Sequence, residues 1–112
     1  MADDYTFRWE APVDEVFHPL HDAQSAWLSA IDSLTAPDRR THELIRLVCQ
    51  VIAQNPGGIE RHARLAGEVG CSWEDVLGAV LLTQPAFGVL PATHAFDPAR
   101  RGWEAGASAG GE

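Results

Sequence analysis

Two side chains in this 112-residue chain have the right types to move a proton between them. His62 stands in "GGIERHARLA" and Glu43 in "RRTHELIRLV". An imidazole titrates near pH 6.5, at about its reference value, so both of its forms are accessible near neutrality, and a carboxylate beside it can orient the ring or share its charge. His62 borders the apolar face that Ile59, Ala63 and Ala66 mark on a short helix, a place that a purely structural histidine also takes. Glu43, next to His42, falls on a helix that is apolar nearly all round. Such a carboxylate is either in the solvated first turns, where the helix dipole favours it, or is held by a partner. Antiparallel helices joined by a tight turn can bring the two together. Counting alone does not pair them, because Glu43 lies twelve residues before Asn55 and His62 four after Gly58.

The other reactive side chains point to less. His18 and His21 form an HxxH one helical turn apart, just before Asp22. A metal ion there needs a further convergent ligand, such as His42 or Asp22 itself. Cys49 falls among apolar residues in mid-helix and reads as a buried, inert hydrophobe, while Cys71 follows Gly70 at a helix boundary. No CxxC is present, and no disulfide is expected between the two. All eight fixed positive charges are arginine, so Schiff-base and pyridoxal-phosphate chemistry and a Walker-type phosphate loop are excluded for want of a lysine.

The elements that must position these groups read as helices. Residues 1–17 look irregular, with Phe7 and Trp9 as anchors and Pro12 as a breaker. Leu20, Ala23, Trp27, Ile31 and Leu34 recur every three or four residues, which predicts a helix over 19–34 with Pro19 in its first turn. Leu44, Ile45, Leu47, Val48, Val51 and Ile52 cover most of a second helix over 38–54, read as central and buried. Asn55 is placed to cap, and Pro56 to begin, a helix over 56–69 that Gly70 stops. Ser72 with Asp75 three residues on resembles a capping box, opening a helix striped by Trp73, Val76, Leu77, Val80 and Leu81. Pro85 ends it, and a last helix runs over 91–103, with a break expected at Asp97-Pro98. Residues 104–112, "EAGASAGGE", read as a disordered tail. No long stretch alternates at period two, so the chain is all-α, and its length suits one domain, here residues 18–103.

Composition is globular, 46% hydrophobic and 21% charged, with a net charge of −8. That balance argues against nucleic acid and anionic membranes as partners, since both call for clustered cations. No apolar run approaches a membrane span, and the acidic "MADDYTFRWE" lacks the apolar segment of a signal peptide, so a cytoplasmic location is expected.

The runs "RRTHELIRL", "GGIERHARLAGEVGCSWEDVLGAVL" and "FGVLPATHAF", in this order and spacing, resemble the carboxymuconolactone decarboxylase and alkylhydroperoxidase (AhpD-like) superfamily. The resemblance covers about 34–96. It implies an AhpD-like helical bundle of about five to six helices, assembled as a trimer or hexamer, with no metal and no cofactor. In the peroxidase branch a Glu precedes a CxxC by twelve residues and a His follows the second Cys by four. Counted from Glu43, those places hold Asn55, Gly58 and His62. The acid–base members are kept and both sulfurs are absent, so thiol peroxidase activity is not expected.

The resemblance therefore implies cofactor-free acid–base chemistry on a small organic acid or unsaturated carbonyl compound: decarboxylation, isomerisation, lactone opening or cyclisation. His62 and Glu43 are the candidate catalytic residues. Arg46 and Arg61 are candidate carboxylate binders, and Asn55, Gly58 and His94 candidate lining residues. The rival expectation is a family member that binds a small molecule, or serves as an oligomeric scaffold, without turnover. The apolar set Trp27, Trp73, Val76, Val80 and Phe87 is expected to exceed what so small a core can hide, and so to drive self-association.

Overall fold

The structure, a computed structural model, describes residues 11–110, and they are helical with no strand among them. Five helices of nine residues or more, α2 (His18–Asp32), α3 (Arg39–Ile52), α4 (Pro56–Glu68), α5 (Trp73–Leu81) and α7 (Val89–Gly110), are joined by short α1 (Ala11–Val16) and α6 (Gln84–Phe87). The expected all-α class and helix number are thus met. The chain divides into two compact units, which meet at Thr35 and Ala36 in the sequence.

The first unit holds α1 and α2. Ala11–Val16 is helical where irregular chain was expected, because Pro12 falls in a first turn, where its missing N–H costs nothing. Phe7 and Trp9 lie outside the described residues. On α2 the apolar stripe is exposed at Leu20, Trp27 and Ile31, as is Leu34 just beyond the helix, and the side chain that is buried is His21.

In the second unit α3 and α4 form a hairpin, α7 packs along α4, and α5 packs against α7 and α3. Asp38 caps α3 by accepting the Thr41 N–H at 2.9 Å. Ser72 and Asp75 make the expected capping box at α5, with reciprocal bonds of 3.0 and 2.9 Å. Gly70 takes φ +97° behind α4, as a left-handed terminator should. Asn55 does not cap α4; its side-chain amide donates to Gln50 Oε1 at 3.0 Å.

The core is built from Leu47 and Val51 of α3, Ile59, Ala63 and Ala66 of α4, Val76 and Val80 of α5, and Ala92, Ala95 and Ala99 of α7. Its small residues are the reason α4 and α7 can lie so close. A Cβ on Gly102 would fall onto the Glu60 carbonyl, one on Gly106 onto the Arg64 carbonyl, and one on Gly67 would stand 2.8 Å from the Trp103 oxygen. This packing carries α7 straight through Pro98, where a break was expected, and on to Gly110, through the stretch expected to be a disordered tail. The lost bond and ring clash at a proline cost about 3 kcal/mol. That cost is outweighed by contacts made on both sides of it, by Ala95, Ala99 and Gly102. Trp103 locks the far side: its indole N–H donates to the Cys71 carbonyl at 2.9 Å, its ring meets Trp73 at 5.9 Å, and the Arg100 guanidinium stacks over both rings. Of the apolar set expected to exceed this core, Val76 and Val80 are fully buried and Trp73 half-buried, while Trp27 and Phe87 are exposed.

Candidate active site and an apolar groove

The α3–α4 hairpin sets the geometry of the acid–base pair. Its connection is Ala53–Asn55, three residues rather than the Asn55–Gly58 turn the sequence suggested. Glu43 then lies nine residues before the last residue of α3 and His62 six after the first of α4. The three-residue mismatch is about 4.5 Å of helix, short enough for two side chains to bridge. They do: His62 Nδ1 and Glu43 Oε1 are 3.2 Å apart, with His62 3% and Glu43 4% exposed. The carboxylate is thus held by a partner in the interior and is not a solvated first-turn charge.

Two more groups reach the other carboxylate oxygen. Arg39 Nη1 donates to Oε2 at 3.2 Å from a partly exposed side chain, and His42 Nε2 lies 3.9 Å away. Burial pushes the Glu43 carboxyl up, but the hydrogen bond and charge of His62, the charge of His42 and the bond from Arg39 together hold it below the ordinary range. Arg39 was missed in the sequence reading; its i,i+4 spacing to Glu43 is the signal that finds it.

The other predicted site residues lie on α3, α4 and α7 or in the connection between α3 and α4. Asn55 and Gly58 gather around Gln50, the former by its hydrogen bond and the latter by leaving room for the Gln50 side chain where a Cβ would be. Arg46 and Arg61 are half-buried on α3 and α4. His94 is exposed on α7.

His62 was expected to face a mostly apolar pocket. An open groove of about 480 Å³ does lie on this unit, but between α3 and α5, lined by Thr41, Leu44, Ile45, Val48, Cys49, Gly78 and Ala79 among others, and neither His62 nor Glu43 lines it. Glu74 and Asp75 stand at its edge as the acidic first turn of α5. Cys49 is exposed on this wall and not buried as expected, since the half of α3 that carries it turns away from α4. Cys71 is buried, and its thiol donates to the Arg40 carbonyl at 3.8 Å. Burial, with Asp75 next in effect, pushes that thiol above its ordinary pKa and so away from the reactive thiolate. Both thiols are free.

The first unit carries a separate polar cluster. His18 Nδ1 bonds Asp14 Oδ1 and its Nε2 lies 3.2 Å from Asp22 Oδ2. The hydrogen bond to Asp14, then the charge of Asp22, raises the His18 pKa. Buried His21 places Nδ1 3.5 Å from Asp14 Oδ1 and 3.7 Å from Asp22 Oδ1.

Among the described residues no helix is long and apolar enough to cross a membrane. Comparison with known proteins finds no matching family model, no matching curated protein and no matching solved structure.

Proposed function

We propose that the second unit performs cofactor-free acid–base chemistry on a small organic acid or unsaturated carbonyl compound, in the manner of a carboxymuconolactone decarboxylase-like protein. The observation that carries this reading is the buried Glu43–His62 hydrogen bond, with Arg39 closing the far side of the carboxylate. A carboxylate facing Nδ1 fixes the tautomer that bears its proton there, which leaves the exchangeable proton of the imidazolium on Nε2. In a decarboxylation the bond from carbon to the departing carboxylate breaks, its electron pair passes into a conjugated carbonyl as an enolate, and Nε2–H returns a proton to carbon. Glu43 keeps the ring oriented and charged until that step, and water restores the proton afterwards. Isomerisation uses the same two atoms in the reverse order. Arg46 and Arg61 are the proposed carboxylate binders, and Asn55, Gly58 and His94 the proposed lining. The reading includes a cytoplasmic homo-oligomer, a trimer or hexamer, in which a second copy completes the cleft, and it requires a local opening of the α3–α4 hairpin for substrate to reach Nε2 of His62, which is 3% exposed. The exposed Ile45, Phe87, Val89 and Leu90 supply apolar surface for such contacts.

The test is a panel of conjugated and β-keto carboxylic acids incubated with the protein in deuterated water. Loss of carbon dioxide or solvent deuterium on carbon is expected, with His62→Gln slower by about 10²- to 10⁴-fold. Turnover that is indifferent to His62→Gln overturns the proposal.

A second reading is favoured by the α3–α5 groove, whose size and apolar walls suit a small ligand. There the unit binds a small molecule without turnover. Ligand binding that Ala79→Trp blocks and His62→Gln leaves unchanged, with no product formed, separates this reading from the first.

A further inference from the structure

We propose that Asp14, His18, His21 and Asp22 form a binding site for a divalent transition-metal ion of the zinc type. All four lie in the first unit, so the inference is independent of the chemistry proposed for the second.

The spacing is set by the α1–α2 junction. Only Phe17 separates the two helices, and its carbonyl accepts the Leu20 and His21 amides at 2.9 and 3.1 Å while its own amide bonds Val13 O at 2.7 Å. Phe17 itself leaves the helical region, at φ −127° and ψ 62°, so the two helices meet at a bend across which Asp14 reaches His18 and His21, while His18, His21 and Asp22 stand one turn apart on α2. HxxH alone lacks a third ligand; the sequence reading looked for it in His42 or Asp22, and Asp14, on the preceding helix, is the member it overlooked.

The distances suit an ion. Donors around a tetrahedral zinc at 2.0–2.1 Å stand about 3.4 Å apart. His21 Nδ1 lies 3.5 Å from Asp14 Oδ1 and 3.7 Å from Asp22 Oδ1, and the three donor atoms all fall within 4.8 Å of one another. His18 touches both carboxylates and is the fourth donor after a change of rotamer. Two carboxylates and two neutral imidazoles leave a charge of −2, which one divalent ion cancels. One wall of the site is fixed, since the His21 side chain is 8% exposed, while Asp14, His18 and Asp22 are about half exposed or more and leave a route for entry. Two imidazoles with two carboxylates favour zinc, nickel or copper over magnesium and calcium, which want an all-oxygen shell.

Untagged full-length protein titrated with zinc chloride in a calorimeter is expected to bind one ion per chain, and excess magnesium or calcium should not displace it. Asp14→Asn and His21→Gln should each weaken binding at least about tenfold while circular dichroism stays unchanged. If either variant loses helix, the wild-type protein still decides: zinc must shift the ring resonances of His18 and His21 and leave those of His62 and His94 in place. Absence of saturable binding, affinity unchanged in both variants, or shifts confined to other histidines would falsify the site.

Discussion

Gly102 of α7 lies directly beneath the backbone carbonyl of Glu60 on α4, with no room for a Cβ between them. Gly106 repeats the contact with the Arg64 carbonyl one turn on. Both obstacles are backbone atoms in helix interiors, so a methyl group can be admitted only by separating the two helices. Gly102→Ala and Gly106→Ala are each expected to destabilise the fold by about 1–3 kcal/mol, although alanine is the better helix former. Urea unfolding checks this, and an unchanged midpoint in both variants would show that the helices are not held at this distance.

The same substitution should have the opposite sign at Gly78. This residue is inside α5, facing the groove, and a Cβ there meets nothing within 4 Å. Gly78→Ala is expected to stabilise by up to about 1 kcal/mol through helix propensity alone. A rise in midpoint at Gly78 together with a fall at Gly102 distinguishes packing from propensity within one protein.

Loss of His62 should release the Glu43 carboxyl. Burial already pushes that carboxyl up, and His62 supplies the largest opposing effects. In His62→Phe the Glu43 pKa is expected to rise, which carboxyl-carbon NMR can follow; no movement would mean the pair is not coupled in solution.

The pair also makes stability depend on acidity in a definite direction. The folded Glu43 pKa is depressed below the ordinary value of 4.5, so its stabilisation is complete above that pH and fades as pH falls through the folded value. Glu43→Gln, which keeps the shape and loses the charge, should cost about 1–3 kcal/mol near neutrality. The gap from the wild type should narrow as the solution is acidified below 4.5. A gap constant with pH would place the effect in packing and not in charge.

Organic hydroperoxides should not be reduced. No CxxC is present, both thiols are free, and the Cys71 thiol is pushed toward its protonated form. With a dithiol reductant the protein is expected to match a boiled control. Turnover abolished by Cys49→Ser or Cys71→Ser would reverse this assignment.

What could be read from the sequence follows from how local each signal is. Ser72 with Asp75, Gly70, the starts and stops of α3 and α4 and the start of α5 are set by residues within one turn, and they stand where the sequence put them within a residue or two, whereas α5 stops at Leu81, ahead of Pro85, which falls in the first turn of α6. Pro98 and the stretch after Trp103 were misread because their fate is decided by α4, some forty residues earlier in the chain, through glycine contacts that composition scores as loop. The apolar stripe of α2 was legible as a stripe, but periodicity does not say whether a face turns inward. At the site, the Glu43–His62 contact was suggested by the family resemblance and not by the hairpin count, which began the turn two residues too late and ended it three too late. Arg39 was overlooked because i,i+4 pairs are usually surface decoration, and here the acid partner is buried.

The seam between α4 and α7 has a consequence for the order in which the protein takes shape on the ribosome. The inner face of α4, with Ile59, Ala63 and Ala66, is made well before the helix that covers it. The α3–α4 hairpin can therefore close, and bring Glu43 to His62, while the nascent chain still lacks the cover that seals it. Because Gly102 and Gly106 mate with α4 near the end of α7, the unit is completed only when that helix has left the exit tunnel. Until then a strip of small apolar residues faces the solvent, and nascent-chain chaperones would meet it before α7 does.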